Sequence, residues 1–167
     1  MRLKSMFLVG LAMVAAGSVA GTAGASTQPA VRISGAYTVD TTAQSKTDCR
    51  PISKRNPAVM TCEVSGFTLI YSGSLQGRGV SAFRWVIDCR SGRSYTDGTE
   101  TFTGSVEGVG SGTFSWGVRS KGTFDCEKAE VTSISARQNL YSGTDALAGL
   151  YGTMHRGPAT YAGVLGS

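Results

Sequence analysis

Apolar residues recur at every second position through most of this chain, the period of a strand that buries one face. Between Ala30 and Val39, Val31, Ile33, Tyr37 and Val39 share one parity, and Arg32, Ser34, Thr38 and Asp40 the other. The alternation returns in Ala58–Tyr71 (Phe67, Leu69, Tyr71), Val80–Cys89 (Phe83, Trp85, Ile87, Cys89) and Tyr95–Val106 (Glu100, Phe102, Gly104, Val106). It continues in Thr113–Arg119 (Phe114, Trp116, Val118), Thr123–Cys126, Ala129–Gln138 and Ala159–Leu165. Glycine-bearing polar segments at Ser72–Gly79, Ser91–Arg93, Gly108–Gly112 and Lys121–Gly122 predict turns between these runs. Thr41–Pro57 is polar, holds Pro51 and Pro57 and shows no period, which predicts a loop. No window carries a helical period. The expectation is an all-β fold of about eight short antiparallel strands, a barrel or a sandwich. Glycines inside the strands favour the closed barrel, because they let a sheet coil tightly.

The stretch Ser142–Thr153, SGTDALAGLYGT, departs from this rhythm. Gly143, Gly149 and Gly152 surround Ala146, Leu147, Ala148, Leu150 and Tyr151, a pattern unusual for a helix and short for a strand. Glycine at such positions predicts main chain running against main chain, where a Cβ would block the contact.

The first 25 residues belong to a different element. Arg2 and Lys4 precede an apolar run from Met6 to Ala16, and small residues lead to Ala23, Gly24 and Ala25. This is the pattern of a secretory signal peptide, and the run is shorter than the ~20 residues that span a bilayer. Residues 1–25 are therefore read as a leader and residues 26–167 as one domain, secreted and without stable membrane insertion once the leader is removed. Without Arg2 and Lys4 the 16 basic residues become 14 against 11 acidic, a formal charge of +3. The basic residues are scattered, apart from the Lys54–Arg55 pair, which gives nucleic-acid binding little support.

Cys49, Cys62, Cys89 and Cys126 all lie in the exported part, and an even number in an oxidising compartment predicts two disulfides. No two are close enough in sequence for the usual structural zinc pairing. Three connectivities are open, and Cys49 with Cys62 and Cys89 with Cys126 is the local one.

Candidate chemistry is sparse. His155 is the single histidine, expected at a turn or rim, and no Gly-x-Ser-x-Gly elbow occurs, so a hydrolase triad cannot be assembled. GVGSGT at Gly108–Thr113 lacks the lysine and the helix of a phosphate loop and is expected to be a hairpin. Glu100 shares a strand face with Phe102 and Val106. It is a candidate acid or base if that face lines a cavity, although the commoner outcome for a glutamate is an exposed place at the rim. Asp88 is expected to pair with Arg84 on the outer face. Tyr37, Phe67, Tyr71, Phe83, Trp85, Phe102, Phe114, Trp116 and Phe124 fall on the apolar parity, and the first eight are candidates to line a lumen. A barrel of about eight strands is just wide enough to be filled by side chains or to hold one small ligand.

Three segments carry a family resemblance: Ser72–Gly77 (Ser-Gly-x-Leu-x-Gly), Phe102–Phe114 (Phe-x-Gly-x-x-x-Gly leading to Gly-x-Phe) and Gly143–Gly152 (Gly-Thr-x-x-Leu-x-Gly-Leu-x-Gly). The chain resembles small uncharacterised bacterial proteins of the allene oxide cyclase barrel-like superfamily over roughly Ile33–Gly152. The resemblance implies a closed antiparallel eight-stranded barrel, similar in shape to the plant cyclases and the dirigent proteins. It implies a lumen that can hold a small hydrophobic molecule; separately from the resemblance, no cofactor and no metal are expected. Two further functions are carried beside ligand binding: a cyclase or isomerase that steers a hydrophobic substrate by shape, and a structural or interaction protein of the cell exterior.

Overall fold

The computed structural model describes residues 30–166, so the leader, residues 1–25, lies outside the described residues. Nine strands make one antiparallel sheet: β1 Val31–Val39, β2 Lys46–Ser53, β3 Asn56–Gly73, β4 Leu75–Asp88, β5 Arg93–Val106, β6 Gly110–Asp125, β7 Glu130–Gly143, β8 Tyr151–Arg156 and β9 Thr160–Gly166. Their order is β1-β9-β8-β7-β6-β5-β4-β3-β2, and a further pairing of β1 with β3 joins eight of them into a ring of hydrogen bonds.

The seam lies on β3, whose 18 residues divide one edge between two partners. Asn56–Ser65 pairs with β2, and Leu69–Gly73 pairs with β1. Between the halves, a bulge at Gly66, with φ at 71°, resets the alternation. Cys62 and Val64 before it, and Leu69 and Tyr71 after it, are therefore all buried.

Three expectations about turns are corrected. The expected loop Thr41–Pro57 contains β2, paired with β3 so that Cys49 stands opposite Cys62. It carries no alternation because all eight of its residues are exposed, and the two-residue period arises only where one face is buried. Lys121–Gly122 does not turn: β6 runs on to Asp125, and the turn falls at Cys126–Ala129. Ser72–Gly79 is a much tighter hairpin than expected, with Ser74 alone between β3 and β4 and with Gly77 and Gly79 inside β4.

Disulfides join Cys49 to Cys62 and Cys89 to Cys126, with Cα atoms 4.0 and 5.7 Å apart, the local pairing. The main core lies at one end of the ring, where Leu75, Phe102, Val106, Phe114, Trp116 and Leu165 are buried together. The Ser142–Thr153 stretch is folded against this end. Its 3-10 turn, Asp145–Leu147, inserts Leu147 into the core, and Leu150 follows it. A Cβ on Gly143 would overlap the Leu147 carbonyl oxygen, so the expected close approach of main chain to main chain occurs here. A smaller cluster of Cys62, Val64 and Ile87, with Phe83, Trp85, Phe124 and Cys126 packed on it, lies toward the other end. No helix among the described residues is long and apolar enough to cross a membrane.

Candidate functional site

Inward-facing side chains change character along each strand. On β5 the series runs Ser94, Thr96, Gly98, Glu100, Phe102, from a polar and half-buried end to the packed core. Glu100 stands at the boundary, opposite Ser81 on β4 and Trp116 on β6.

Glu100 is not at the rim, where the commoner outcome placed it, but 1% exposed at the centre of a polar layer. Its Oε1 accepts from the Tyr71 hydroxyl at 2.6 Å, and its Oε2 accepts from the Ser81 hydroxyl at 2.9 Å and Arg156 Nη1 at 3.0 Å. Arg156 Nη1 also donates to the Tyr71 oxygen at 2.8 Å. Burial of the carboxylate is feasible because the opposite charge and three donors are built around it. Gly79 makes the room: a Cβ there would overlap Oε1 of Glu100 and come within 2.9 Å of the Tyr71 ring. The glycine that suggested a turn is thus a strand residue that admits two large polar side chains.

Arg156 is the principal residue that sequence reasoning missed. β8 runs through Arg156, which is 8% exposed and faces inward between Ala136 and Tyr161. The available signal was parity, since Gly152, Met154 and Arg156 share a face in a six-residue strand. His155, on the opposite parity, is exposed next to the end of that strand.

The layer shapes its own ionisation. Burial and the adjacent Glu100 carboxylate raise the Tyr71 hydroxyl well above its ordinary pKa of 10.0. Burial works to lower the pKa of Arg156, but the Glu100 carboxylate and Tyr71 outweigh it and the net direction is upward. Tyr37 is raised by its partial burial. Its ring lies 5.4 Å from the guanidinium carbon of Arg156, and its hydroxyl donates to the Gly157 carbonyl.

Above this layer, toward the ring's less packed end, is a cavity of about 270 Å³. Tyr37, Phe67, Phe83 and Trp85 line it together with Leu69, Val118, Ser81 and Arg156. The eight aromatic lumen candidates therefore divide. These four face the cavity, whereas Tyr71, Phe102, Phe114 and Trp116 are packed into the core. Phe67 and Phe83 meet edge to face at 5.7 Å in the wall, and Phe102 and Phe114 stack at 4.8 Å in the core. Phe124 packs edge to face on Trp85 at 4.9 Å. Asp88 does not pair with Arg84; it accepts from the Arg90 amide at 3.0 Å and the Ser91 hydroxyl at 2.8 Å, closing the turn after β4. A larger groove of about 560 Å³, with Lys46, Asp48, Glu63, Arg84 and Asp97 among its lining residues, is open and charged, the opposite of an apolar binding site.

Comparison with known proteins gives the fold a relative. The chain matches 82% of its length to 97% of a crystal structure of a protein with unknown function from the DUF3224 family of Shewanella oneidensis MR-1, at 16% identity and a TM-score of 0.59. No curated protein matches it. Residues 33–160 match the family model described as Protein of unknown function (DUF3224). Because that match covers most of its length, the chain belongs to the DUF3224 family.

Proposed function

We propose that the ring of eight strands is a closed barrel of the allene oxide cyclase-like type that works outside the cell and binds one small apolar molecule at its open end. The cavity of about 270 Å³, walled by Tyr37, Phe67, Phe83 and Trp85 and floored by Ser81 and Arg156, carries this reading. A concave apolar wall with a few convergent polar groups is the usual form of a small-molecule site. The two disulfides fit an oxidising compartment, in keeping with the leader. Binding is favoured over catalysis by Glu100, because its carboxylate is held by three donors below the cavity and would have to surrender them to reach a substrate.

Titration with the uncharged dye N-phenyl-1-naphthylamine tests the proposal. Saturable enhancement of dye fluorescence is expected with the natural chain. It is expected to be lost in Thr96→Trp, which fills the cavity from a half-buried wall position. Absence of binding to the natural chain, or equal binding by the filled variant, would reject the site.

A further inference from the structure

We propose that the occupant of this cavity is a compact molecule of about two fused rings bearing a neutral carbonyl, and that Arg156 is the residue that recognises the carbonyl oxygen. The inference rests on the binding site proposed above and adds the chemical class of the ligand.

The first support is the unused capacity of Arg156. A guanidinium carries five N–H donors. Nη1 is committed to Tyr71 and Glu100, while Nε and Nη2 have no hydrogen-bond partner among the described residues. Arg156 is nonetheless 8% exposed and lines the cavity. These donors are not sealed in the protein but open to the cavity, so its contents can supply them with an acceptor.

Charge then selects among acceptors. The carboxylate of Glu100 neutralises the guanidinium at 3.0 Å, and its oxygens are taken by Tyr71, Ser81 and Arg156 itself. Among the described residues, Arg156 is the only Lys, Arg, Asp or Glu in the cavity lining. A ligand carboxylate would therefore place a second negative charge beside an ion pair already balanced, with no further cation to compensate it. A ligand ammonium would meet the guanidinium as a like charge. A ketone, aldehyde or ester oxygen takes up the vacant N–H groups and adds no charge to the layer.

Size and wall set the rest of the molecule. A dry cavity of roughly 150 Å³ holds benzene, and this one, at about 270 Å³, is nearly twice that. Phe67, Phe83 and Trp85 offer ring faces and edges to a flat apolar body.

The decisive experiment compares naphthalene, 2-acetylnaphthalene and 2-naphthoate by calorimetric titration of the purified chain at pH 7. The ketone is expected to bind at least tenfold more tightly than either of the others. The double variant Glu100→Gln/Arg156→Met, which removes both charges together, is expected to bring ketone and hydrocarbon within about twofold of each other while naphthalene still binds. Equal binding of ketone and hydrocarbon by the natural chain, or tightest binding of the carboxylate, overturns the carbonyl assignment and leaves the cavity standing. Persistence of the ketone preference in the double variant overturns the role of Arg156. If none of the three ligands binds, the cavity proposal itself falls. The series on the natural chain decides the ligand class even if the double variant fails to fold.

Discussion

The two ends of the ring use the same kinds of residue on the same parity and reach opposite results. At the packed end Phe102, Phe114, Trp116 and Leu75 are at most 1% exposed, and Leu147 from the 3-10 turn fills the space among them. At the other end Phe67, Phe83 and Trp85 face inward just as consistently but remain half-buried around a cavity. The difference lies in what covers each end. The Ser142–Thr153 stretch folds against the first, whereas at the second the ion pair of Arg156 and Glu100 forms a cavity floor and Val39, Val131 and Pro158 join the aromatics in its wall. An aromatic on the inward face is thus a core residue or a wall residue according to whether another segment is folded over it.

Truncating one aromatic at each end should show the contrast most strongly. Phe102→Ala leaves a hole in a filled core and is expected to cost about 3 to 5 kcal/mol. Phe83→Ala enlarges a cavity that already exists and is expected to cost only about 1 to 2 kcal/mol, because it removes a half-buried ring. Chemical denaturation of both variants measures the gap, and equal losses would mean that the two ends are packed alike.

The floor between the ends can be broken next. Arg156→Met leaves the Glu100 carboxylate buried without its cation and is expected to destabilise by about 3 to 5 kcal/mol. Adding Glu100→Gln removes the stranded charge, so the double variant is expected to recover much of that loss. A double-mutant cycle checks this, and simple additivity of the two losses would show that the ions are not coupled.

Alkaline titration sharpens the comparison with the smallest effect. Below about pH 10 the Tyr71 hydroxyl is protonated in both folded and unfolded chains, and its contribution is fully present. Above pH 10 the unfolded chain releases that proton while the folded chain, whose tyrosine is raised by burial and by Glu100, retains it. Stability is then expected to fall with rising pH, at up to about 1.4 kcal/mol per pH unit for such a group. Denaturant unfolding between pH 9 and 11.5 should show a shallower decline in Tyr71→Phe, and an unchanged slope would remove Tyr71 from the account.

Much of the fold was legible because burial on one face writes a two-residue period into a strand. Val31 to Val39, Phe83 to Ile87 and Phe114 to Val118 could be placed on that basis, and the glycines of Ser142–Thr153 signalled close backbone approach. β2 was illegible because neither of its faces is buried, so that no apolar alternation exists to be read. The site was legible in part. The inward parity of Glu100 was visible, but its burial depended on Arg156, which lies 56 residues later in the chain. Gly79 was ambiguous for a related reason: alone it suggests a turn, and only its neighbours on β3 and β5 show it to be the space into which Glu100 and Tyr71 fit.

By itself the chain's residue order determined the all-β character and the facing of the strands that bury one side, since both depend on spacing between near neighbours. Tertiary structure alone decided the closure of β1 on β3, the meeting of Arg156 with Glu100, and which aromatics enclose space rather than fill it. Those outcomes depend on segments brought together from distant parts of the chain, and on the need of a buried charge for a partner that no local pattern specifies.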